Sequence, residues 1–459
     1  MRLIQKFWQN HGSGPGGIQE LLKISYPIII SQASISLMMF TDRLLLTPLG
    51  KEYPSASMVA GFFCFIWQVF FVGMLNYINP LVAQYLGAEK KDRCLKVLGQ
   101  GLLLTLLFYP VILIGGALTA PYYMGWAQMP EKEIELAIAY LEMILWGGFA
   151  FLGNTALSAY FTGLGKTTAV MLINLVGMLL NIPLTYWFIH QTQFPALSGI
   201  RGAPFATVLS AVVMLILFAI ELYRLEKKHP LGLNFLRLDR EIITKLVVFG
   251  GPTGVEFFLS FFAFNTFVTL FHSYGPNEGL AMTIAFNWDI VAFLPLWGLN
   301  IGMMSLVGKY MGAREVDLAL RTTFSGAKLA YSLALGFAVI FFLFTEVFVR
   351  TFLPPNLDDE LALLSVAVPM LKAVAIYLLA NASVLVFSAT LRAAGDTRWC
   401  MYTTICCDWT MLVLSYLSIR VYEYSPLTTW GIFVAAIFVA GALYFLRFLQ
   451  GRWKSIHVV

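Results

Sequence analysis

The sequence is poor in charged residues. Asp, Glu, Lys and Arg make up 12% of the 459 residues, and hydrophobic residues make up 59%. A soluble domain carries about 25% charged residues. Together with a mean hydropathy of +0.76, this excludes an ordinary soluble protein and indicates a chain that lies mostly in a lipid bilayer. The net charge of +5 does not indicate nucleic-acid binding, because the basic residues lie in short segments between apolar runs.

Catalytic and metal-binding motifs are also missing from the sequence. The five cysteines show neither metal-ligand nor disulfide spacing, so we interpret them as small hydrophobic residues. The five histidines are scattered, and no His-Glu-x-x-His motif occurs. We therefore expect no enzyme activity, no cofactor and no nucleic-acid partner. The polar, glycine-rich N-terminus shows no cleavable signal.

Long apolar runs dominate what is present. A run of about 20 apolar residues can cross a bilayer, and twelve such runs occur along the chain. We place them near residues 24–47, 54–78, 94–119, 135–160, 168–190, 199–223, 245–272, 279–305, 319–347, 362–390, 399–421 and 426–448. The sequence therefore predicts an all-α integral membrane protein with twelve transmembrane helices.

The two halves of the chain resemble each other. Pro27 is followed 225 positions later by Pro252, and the segment 81–88 (LVAQYLGA) is followed at the same step by 306–313 (LVGKYMGA). A repeat of about half the chain indicates one architecture present twice. Since a shift by six helices keeps the direction of every helix, we expect two parallel-repeat lobes of six helices each.

These features predict the organisation of the whole chain. We expect an N-terminal tail (1–23), an N-lobe (24–223), a linker (224–244), a C-lobe (245–448) and a C-terminal tail (449–459). Most of the 30 Lys and Arg residues fall on one side of the membrane if the N-terminus is cytoplasmic. We therefore expect a monomeric, multi-pass protein of the inner or plasma membrane, with both termini and the linker in the cytoplasm.

Among the acidic residues inside the apolar runs, we single out Asp42, Glu256, Asp289 and Asp408. A charged group at the bilayer centre costs roughly 2.5–3.5 kcal/mol, so each acid needs a reason to be there. Each could belong either to a structural ion pair or to a binding site. For Asp42 the neighbouring Arg43 is one candidate partner, although adjacent helix positions point about 100° apart.

Three segments resemble motifs of the multidrug and toxic compound extrusion (MATE) transporter family. They are 82–88 (VAQYLGA), 179–185 (LLNIPLT) and 391–396 (LRAAGD), and they occur in the family's order along nearly the whole chain. In the N-lobe the resemblance is closest to the NorM-type pattern. It implies twelve helices in two lobes and a secondary transporter.

The resemblance also implies a cation site in the N-lobe. The family places an acid fifteen residues after the proline of the first helix, and Asp42 matches that position. The matching polar positions are Asn181, Thr185 and Thr207, and the implied coupling ion is Na⁺ or H⁺. The residue types agree with this, because carboxylate, amide and hydroxyl oxygens can hold a hard cation. If the ion is Na⁺, the implied ligands are Asp42, Asn181 and Thr207.

The C-lobe departs from the family pattern. NorM-type members carry a glutamate where this chain has Ser260 and an aspartate where it has Asn381, whereas their tyrosine is kept as Tyr377. Glu256 lies one turn before Ser260, and Asp289 has no counterpart in the pattern. We assign these five residues to the substrate cleft, where Asp289 could meet a cationic substrate.

The combined interpretation is an efflux antiporter in the lipid bilayer. It exports amphipathic, cationic small molecules in exchange for Na⁺ or H⁺ by alternating access. The nearest alternative is a flippase for lipid-linked precursors or polysaccharides from the wider superfamily. Those proteins tend to have extra helices and a basic cavity, whereas the charges deep inside these apolar runs lean acidic, apart from Arg43 and Lys372.

Overall fold

The secondary structure of the described residues is helical and contains no strand. A computed structural model of the chain describes residues 12–50, 52–126, 130–190, 194–227, 233–353 and 360–459. Its α-helices are α1 (Ile18–Leu46), α2 (Glu52–Asn76), α3 (Ile78–Gly87), α4 (Lys91–Trp126), α5 (Glu131–Trp146), α6 (Gly148–Gly163), α7 (Thr167–His190), α8 (Gly202–Lys227), α9 (Arg240–Lys245), α10 (Gly251–His272), α11 (Pro276–Gly312), α12 (Val316–Leu343), α13 (Thr345–Arg350), α14 (Glu360–Ala394), α15 (Thr397–Tyr416) and α16 (Pro426–Gln450).

The predicted all-α membrane fold is confirmed. Eleven helical segments of the described chain are long and apolar enough to cross a bilayer, and the pair α5–α6 makes a twelfth span with a bend of 48°. The bend falls at Gly147, where an added Cβ would lie 2.3 Å from Val208 Cγ2. α9 and α10 form one continuous span through a π-helical turn at Leu246–Gly250.

The first helix begins earlier than the apolar run predicts. The sequence predicts the first span from residue 24, but α1 begins at Ile18. Its first turn contains Glu20, whose carboxylate accepts a hydrogen bond from the Gly16 amide at 2.7 Å. This bond satisfies a backbone amide at the helix start. The polar first turn is therefore part of the helix although it is not part of the apolar run.

The chain forms two compact units whose boundaries fall inside helices. The N-unit consists of Ile30–Gly254, and the C-unit consists of Met1–Ile29 together with Val255–Val459. The boundaries lie within α1 and α10, whereas the sequence predicts the division of the chain at the segment 224–244. The first turns of α1 belong to the C-unit, and α9 with the first turn of α10 belongs to the N-unit.

The described part of the predicted linker packs on α4 of the N-unit. Gln100 Nε2 donates to the Phe235 carbonyl at 3.4 Å, and Gln100 Oε1 accepts from the Asp239 amide at 3.0 Å. Gly99 leaves space for this backbone, since a Cβ there would lie 2.0 Å from the Phe235 carbonyl oxygen. These contacts explain why the segment belongs to a compact unit.

Aromatic side chains fill the centre of the C-unit. Phe267, Phe271 and Trp430 are almost fully buried, and Phe267 stacks on Phe433 with ring centroids 5.3 Å apart. The Trp430 indole donates to the Met370 carbonyl at 3.3 Å, which connects α16 to α14. Inside a bilayer the surrounding lipid is as apolar as the protein, so close packing and hydrogen bonds hold such a core together.

Candidate functional site

The Asp42 carboxylate lies at the centre of a polar cluster in the N-unit. Asp42 is on α1 and is only 5% exposed. Its Oδ1 accepts a hydrogen bond from Thr185 Oγ1 at 2.8 Å, and its Oδ2 accepts one from Thr207 Oγ1 at 2.7 Å. Thr185 is on α7 and Thr207 is on α8. Three helices therefore bring together the acid and the two hydroxyl groups that the sequence predicts as its partners.

Asn181 completes the cluster and has a free acceptor. It lies four residues before Thr185, so both side chains are on one face of α7. Asn181 Nδ2 donates to Thr207 Oγ1 at 3.2 Å. Asn181 is fully buried, and its Oδ1 has no hydrogen-bond partner in the part of the chain that the structure describes. An amide oxygen buried without a partner costs about 1–3 kcal/mol, which indicates an oxygen placed to bind something else.

No ion pair between described residues includes Asp42. In particular, Asp42 does not form the ion pair with Arg43 that the sequence leaves open. Arg43 follows Asp42 on α1 and is half-buried. The Thr185 and Thr207 hydroxyls therefore stabilise the carboxylate by hydrogen bonds but do not neutralise its charge.

The four residues of this cluster suit a small monovalent cation. Asp42, Thr207 and Asn181 each supply an oxygen, and hard cations prefer oxygen ligands. A hydroxyl can accept as well as donate a hydrogen bond, so Thr185 and Thr207 can turn their lone pairs toward a cation. The unpartnered Asn181 Oδ1 supports the fit, because it is an acceptor with no donor among the described residues. A proton on the carboxylate would satisfy the charge equally well.

The predicted C-lobe residue Glu256 forms a buried ion pair with Arg392. Glu256 and Arg392 are 2% and 6% exposed, and the Arg392 guanidinium donates directly to Glu256 Oε1. Glu256 Oε2 and Arg392 Nε have no hydrogen-bond partner among the described residues. Arg392 is not among the predicted site residues, although it lies in the motif 391–396, at the end of α14. The charge of Glu256 is therefore already compensated within the C-unit.

The other four predicted cleft residues do not form one hydrogen-bonded set. The Tyr377 hydroxyl lies near Asp289, but Tyr377 Oη and Asp289 Oδ1 are both buried without a hydrogen bond of normal geometry. Ser260 Oγ is buried without such a bond too, although it lies near Asp408. Asn381 is half-buried on α14, one turn after Tyr377. These residues stay individual candidates.

Known proteins resemble this chain along nearly its whole length. The MatE family model matches residues 27–187 and 252–417. The chain is 26% identical over 449 residues to the probable multidrug resistance protein NorM of Shewanella oneidensis, covering 96% of each chain. It is 24% identical over 458 residues to multidrug resistance protein MdtK of Edwardsiella ictaluri, covering 98% of this chain and 97% of the relative.

A solved structure shows the same fold. It is described as the outward-facing conformation of a multidrug resistance MATE family transporter of the MOP superfamily. The TM-score is 0.85 at 21% identity, and the match covers 99% of both chains. The two ranges of the family match lie in the two sequence repeats, and the first contains Asp42, Asn181 and Thr185.

Proposed function

We propose that this chain, which belongs to the MatE family, is a secondary active antiporter that exports amphipathic, cationic small molecules in exchange for Na⁺ or H⁺ by alternating access. Family membership makes the chain a multi-pass membrane transporter and not an enzyme. The resemblance to MATE transporters that the three sequence motifs indicate is confirmed. The coupling ion, the substrate class and the cytoplasmic placement of both termini belong to the proposal.

The buried carboxylate of Asp42 is the observation that supports the coupling. Within the described part of the chain it accepts hydrogen bonds from two threonine hydroxyl groups and forms no ion pair with a Lys or Arg. An ionised group buried without a counter-charge is unfavourable by several kcal/mol, even after the surrounding protein relaxes. A bound monovalent cation removes most of that cost. Asp42 therefore favours whichever state of the transporter allows it to hold a cation.

The same cluster accounts for both candidate ions. For Na⁺, the carboxylate of Asp42, the hydroxyl of Thr207 and the free amide oxygen of Asn181 supply oxygen ligands. For H⁺, Asp42 alone carries the proton, and the two threonine hydroxyls turn to accept from it or from water. In both cases the site becomes neutral. The substrate and the ion must then lower each other's affinity by the same factor, because linkage is reciprocal.

The buried ion pair of the C-unit favours the antiporter over a flippase for phosphate-bearing lipid precursors. Recognition of phosphate needs basic groups that are free to bind it. The buried Arg392 is paired with Glu256. The relatives named multidrug resistance proteins NorM and MdtK also support small-molecule export.

An imposed ion gradient tests the proposal directly. The full chain is reconstituted in liposomes, and ethidium movement is followed after a Na⁺ gradient or a pH gradient is applied separately. We expect one gradient to drive ethidium transport and Asp42→Asn to abolish this drive, because the neutral amide cannot exchange a cation. Glu142→Gln is the matched control. It removes one acid from an exposed ion pair with Arg201, 3.5 Å away, and should transport normally.

Two results would contradict the proposal. Ethidium movement that follows neither gradient would remove the antiport mechanism. Gradient-driven transport by a folded Asp42→Asn variant would remove Asp42 from the coupling while leaving the antiporter in place.

A further inference from the structure

Two hydrogen bonds in the two units are related by the 225-residue step of the repeat. In the C-unit, the Tyr310 hydroxyl donates to Glu20 Oε2 at 2.7 Å. In the N-unit, Lys245 Nζ donates to the Tyr85 hydroxyl at 3.1 Å. Glu20 and Lys245 are 225 positions apart, and so are Tyr85 and Tyr310. Each bond joins the first turns of a span, α1 or α9–α10, to a tyrosine of the other sequence repeat.

The contacts around Tyr310 form a first set, which we name the C-latch: Gly16, Glu20, Lys309 and Tyr310. The Gly16 amide lies 3.0 Å from the Tyr310 hydroxyl and 2.7 Å from Glu20 Oε2. Lys309 Nζ lies 3.7 Å from Glu20 Oε1 and 5.4 Å from the centre of the Tyr310 ring. Ser325 Oγ donates to the Gly16 carbonyl at 2.9 Å. The segment before α1 is therefore fastened to α11 and α12.

The contacts around Tyr85 form the matching set, which we name the N-latch: Tyr85, Glu241 and Lys245. Lys245 Nζ lies 2.9 Å from Glu241 Oε1 and 5.3 Å from the centre of the Tyr85 ring. Glu241 also lies 3.2 Å from Arg93. The two latches use the same tyrosine position with opposite charges. Tyr310 donates a hydrogen bond to a carboxylate, whereas Tyr85 accepts a hydrogen bond from an ammonium group.

Close contacts at glycines show the same 225-residue spacing. In the C-unit, a Cβ added at Gly302 would lie 2.2 Å from Ser25 Oγ. In the N-unit, a Cβ added at Gly250 would lie 3.1 Å from Tyr77 Cβ and 2.7 Å from the Met74 carbonyl oxygen. Gly302 is 225 positions after Tyr77, and Gly250 is 225 positions after Ser25. The two spans thus approach their partners at equivalent repeat positions, one turn beyond each latch.

The next helical turn of each span also has close contacts at positions 225 residues apart. A Cβ at Gly298 would lie 3.0 Å from Ile29 Cα, and a Cβ at Gly73 would lie 2.8 Å from Gly254 Cα. These pairs are also 225 positions apart. Ile29 and Gly254 are the residues at which the compact units end within α1 and α10. Each span is therefore held from its latch up to its unit boundary, and both boundaries obey the repeat.

We propose that Tyr310 and Tyr85 are positioning residues of two matched latches that open and close in each transport cycle. This rests on the proposed transport function. Residues 30–46 of α1, which carry Asp42, belong to the N-unit, whereas the first turns of the same helix belong to the C-unit. In the span α9–α10, the residues up to Gly254 belong to the N-unit and those from Val255 onward belong to the C-unit. A rearrangement of either unit must therefore bend these two helices or release their first turns.

The contacts of each latch are few and polar, so they can break and form again. Each consists of a few hydrogen bonds and one ion pair at the start of a span, and such peripheral segments open at a lower free energy than a core. The prolines next to the boundaries, Pro27 and Pro252, lack the amide that would stiffen the helix. Closing a latch restores the close packing at Gly302 or Gly250, which defines a single closed position.

Hydrogen–deuterium exchange of the full chain in lipid nanodiscs tests the two latches separately. Tyr310→Phe removes the hydroxyl that donates to Glu20 and accepts from the Gly16 amide. It should speed exchange in residues 12–25 about fivefold or more and leave 240–250 unchanged. Tyr85→Phe should speed exchange in 240–250 and leave 12–25 unchanged. Tyr274→Phe is the control, because it removes a C-unit tyrosine hydroxyl that donates to the Tyr424 carbonyl at 2.7 Å and should alter neither segment. If both latch variants leave both segments unchanged, the latches do not exist as proposed.

Ligand-dependent exchange tests the opening. In separate samples of the wild-type chain, ethidium is added, Na⁺ is added, or the pH is lowered. We expect at least one of them to change exchange in 12–25 and 240–250 together, and Tyr310→Phe to diminish the change in 12–25. Unchanged exchange in both segments with every addition would show permanent structural contacts and overturn the proposal. A change with ethidium in a chain that fails to respond to ion gradients would retain the latches and reject only cation coupling.

Glu20 provides a second variant if Tyr310→Phe does not fold. Glu20→Gln keeps an oxygen that accepts from the Tyr310 hydroxyl, whereas Glu20→Ala removes it. We expect exchange in 12–25 to rank wild type, Glu20→Gln, Glu20→Ala from slowest to fastest. Equal exchange for Glu20→Ala and the wild type would contradict a role of this bond in holding α1.

Discussion

Asn181 donates to Thr207 at 3.2 Å, and Thr207 donates in turn to Asp42 at 2.7 Å. Thr207 Oγ1 also lies 3.1 Å from the Ala203 carbonyl oxygen. A hydroxyl has one proton, so it cannot donate fully to both acceptors. The proton goes to Asp42 while the carboxylate is ionised, and it can turn to Ala203 once Asp42 holds a cation. We therefore expect Thr207 to respond to the occupancy of Asp42 without any movement of the backbone.

Thr207→Val should alter the response to the coupling ion. Valine keeps the volume of threonine but removes the hydroxyl. If the ion is Na⁺, we expect the Na⁺ concentration that half-saturates ethidium transport to rise about tenfold or more. The reason is that hydrogen bonds to charged groups contribute about 1.5–3 kcal/mol. If the ion is H⁺, transport should need less acid, because the hydroxyl stabilises the ionised carboxylate.

Thr155→Val is the control for this measurement. The Thr155 hydroxyl donates to the Phe151 carbonyl of its own helix at 2.9 Å, so its loss should not alter ion dependence. Thr207→Ser restores the hydroxyl and should behave like the wild type. Equal half-saturation in Thr207→Val and the wild type would exclude Thr207 from the ion site.

The sequence predicts the Asp42 cluster because its residues carry their own signals. Asp42 is an acid in an apolar run, and Asn181, Thr185 and Thr207 match motif positions of a known family. The structure brings all four together. Twelve spans are also predictable, since length and hydropathy alone decide what can cross a bilayer.

The pairing of Glu256 with Arg392 is not predictable in the same way. The two residues are 136 positions apart, and nothing in either segment specifies the other. The boundaries of the compact units inside α1 and α10 are unpredictable for the same reason. They depend on close approaches between distant segments, such as Gly302 to Ser25. An apolar run shows only that a segment enters the membrane.

Asn381→Ala should impair transport less than Asp42→Asn. Asn381 stands at the family position of a C-lobe aspartate, but it carries no charge and is only half-buried. Its removal leaves the Asp42 cluster intact. Initial rates of gradient-driven ethidium transport in liposomes, normalised to protein content, measure both variants. The reverse ranking would place the ion coupling in the C-unit.

Glu256→Gln should destabilise the chain more than loss of the whole pair. The variant leaves the buried Arg392 without a counter-charge, which costs about 3–5 kcal/mol for a buried pair. Replacing both residues by apolar ones, as in Glu256→Leu with Arg392→Met, should recover much of this loss. Thermal unfolding of the purified chain in detergent compares the three proteins. A Glu256→Gln variant as stable as the wild type would show that Arg392 reaches another partner.

Gly99→Ala should detach the segment after residue 232 from α4. An alanine Cβ at this position would lie 2.0 Å from the Phe235 carbonyl oxygen, and backbone cannot move away as a flexible side chain can. The displacement would also break the bonds that Gln100 makes to Phe235 and to Asp239. We expect a lower midpoint of thermal unfolding and faster proteolysis between residues 233 and 239.

Gly61→Ala is the matched control for Gly99→Ala. Gly61 also lies in the interior of a membrane-spanning helix, α2, but a Cβ there would meet no atom within 4 Å. Alanine favours the helix by about 0.5–1 kcal/mol over glycine, so this variant should be as stable as the wild type or more stable. The contrast separates the loss of a close approach from the general effect of replacing a helical glycine. If both variants unfold at the wild-type temperature, α4 tolerates a Cβ at residue 99 and does not fix the segment through Gly99.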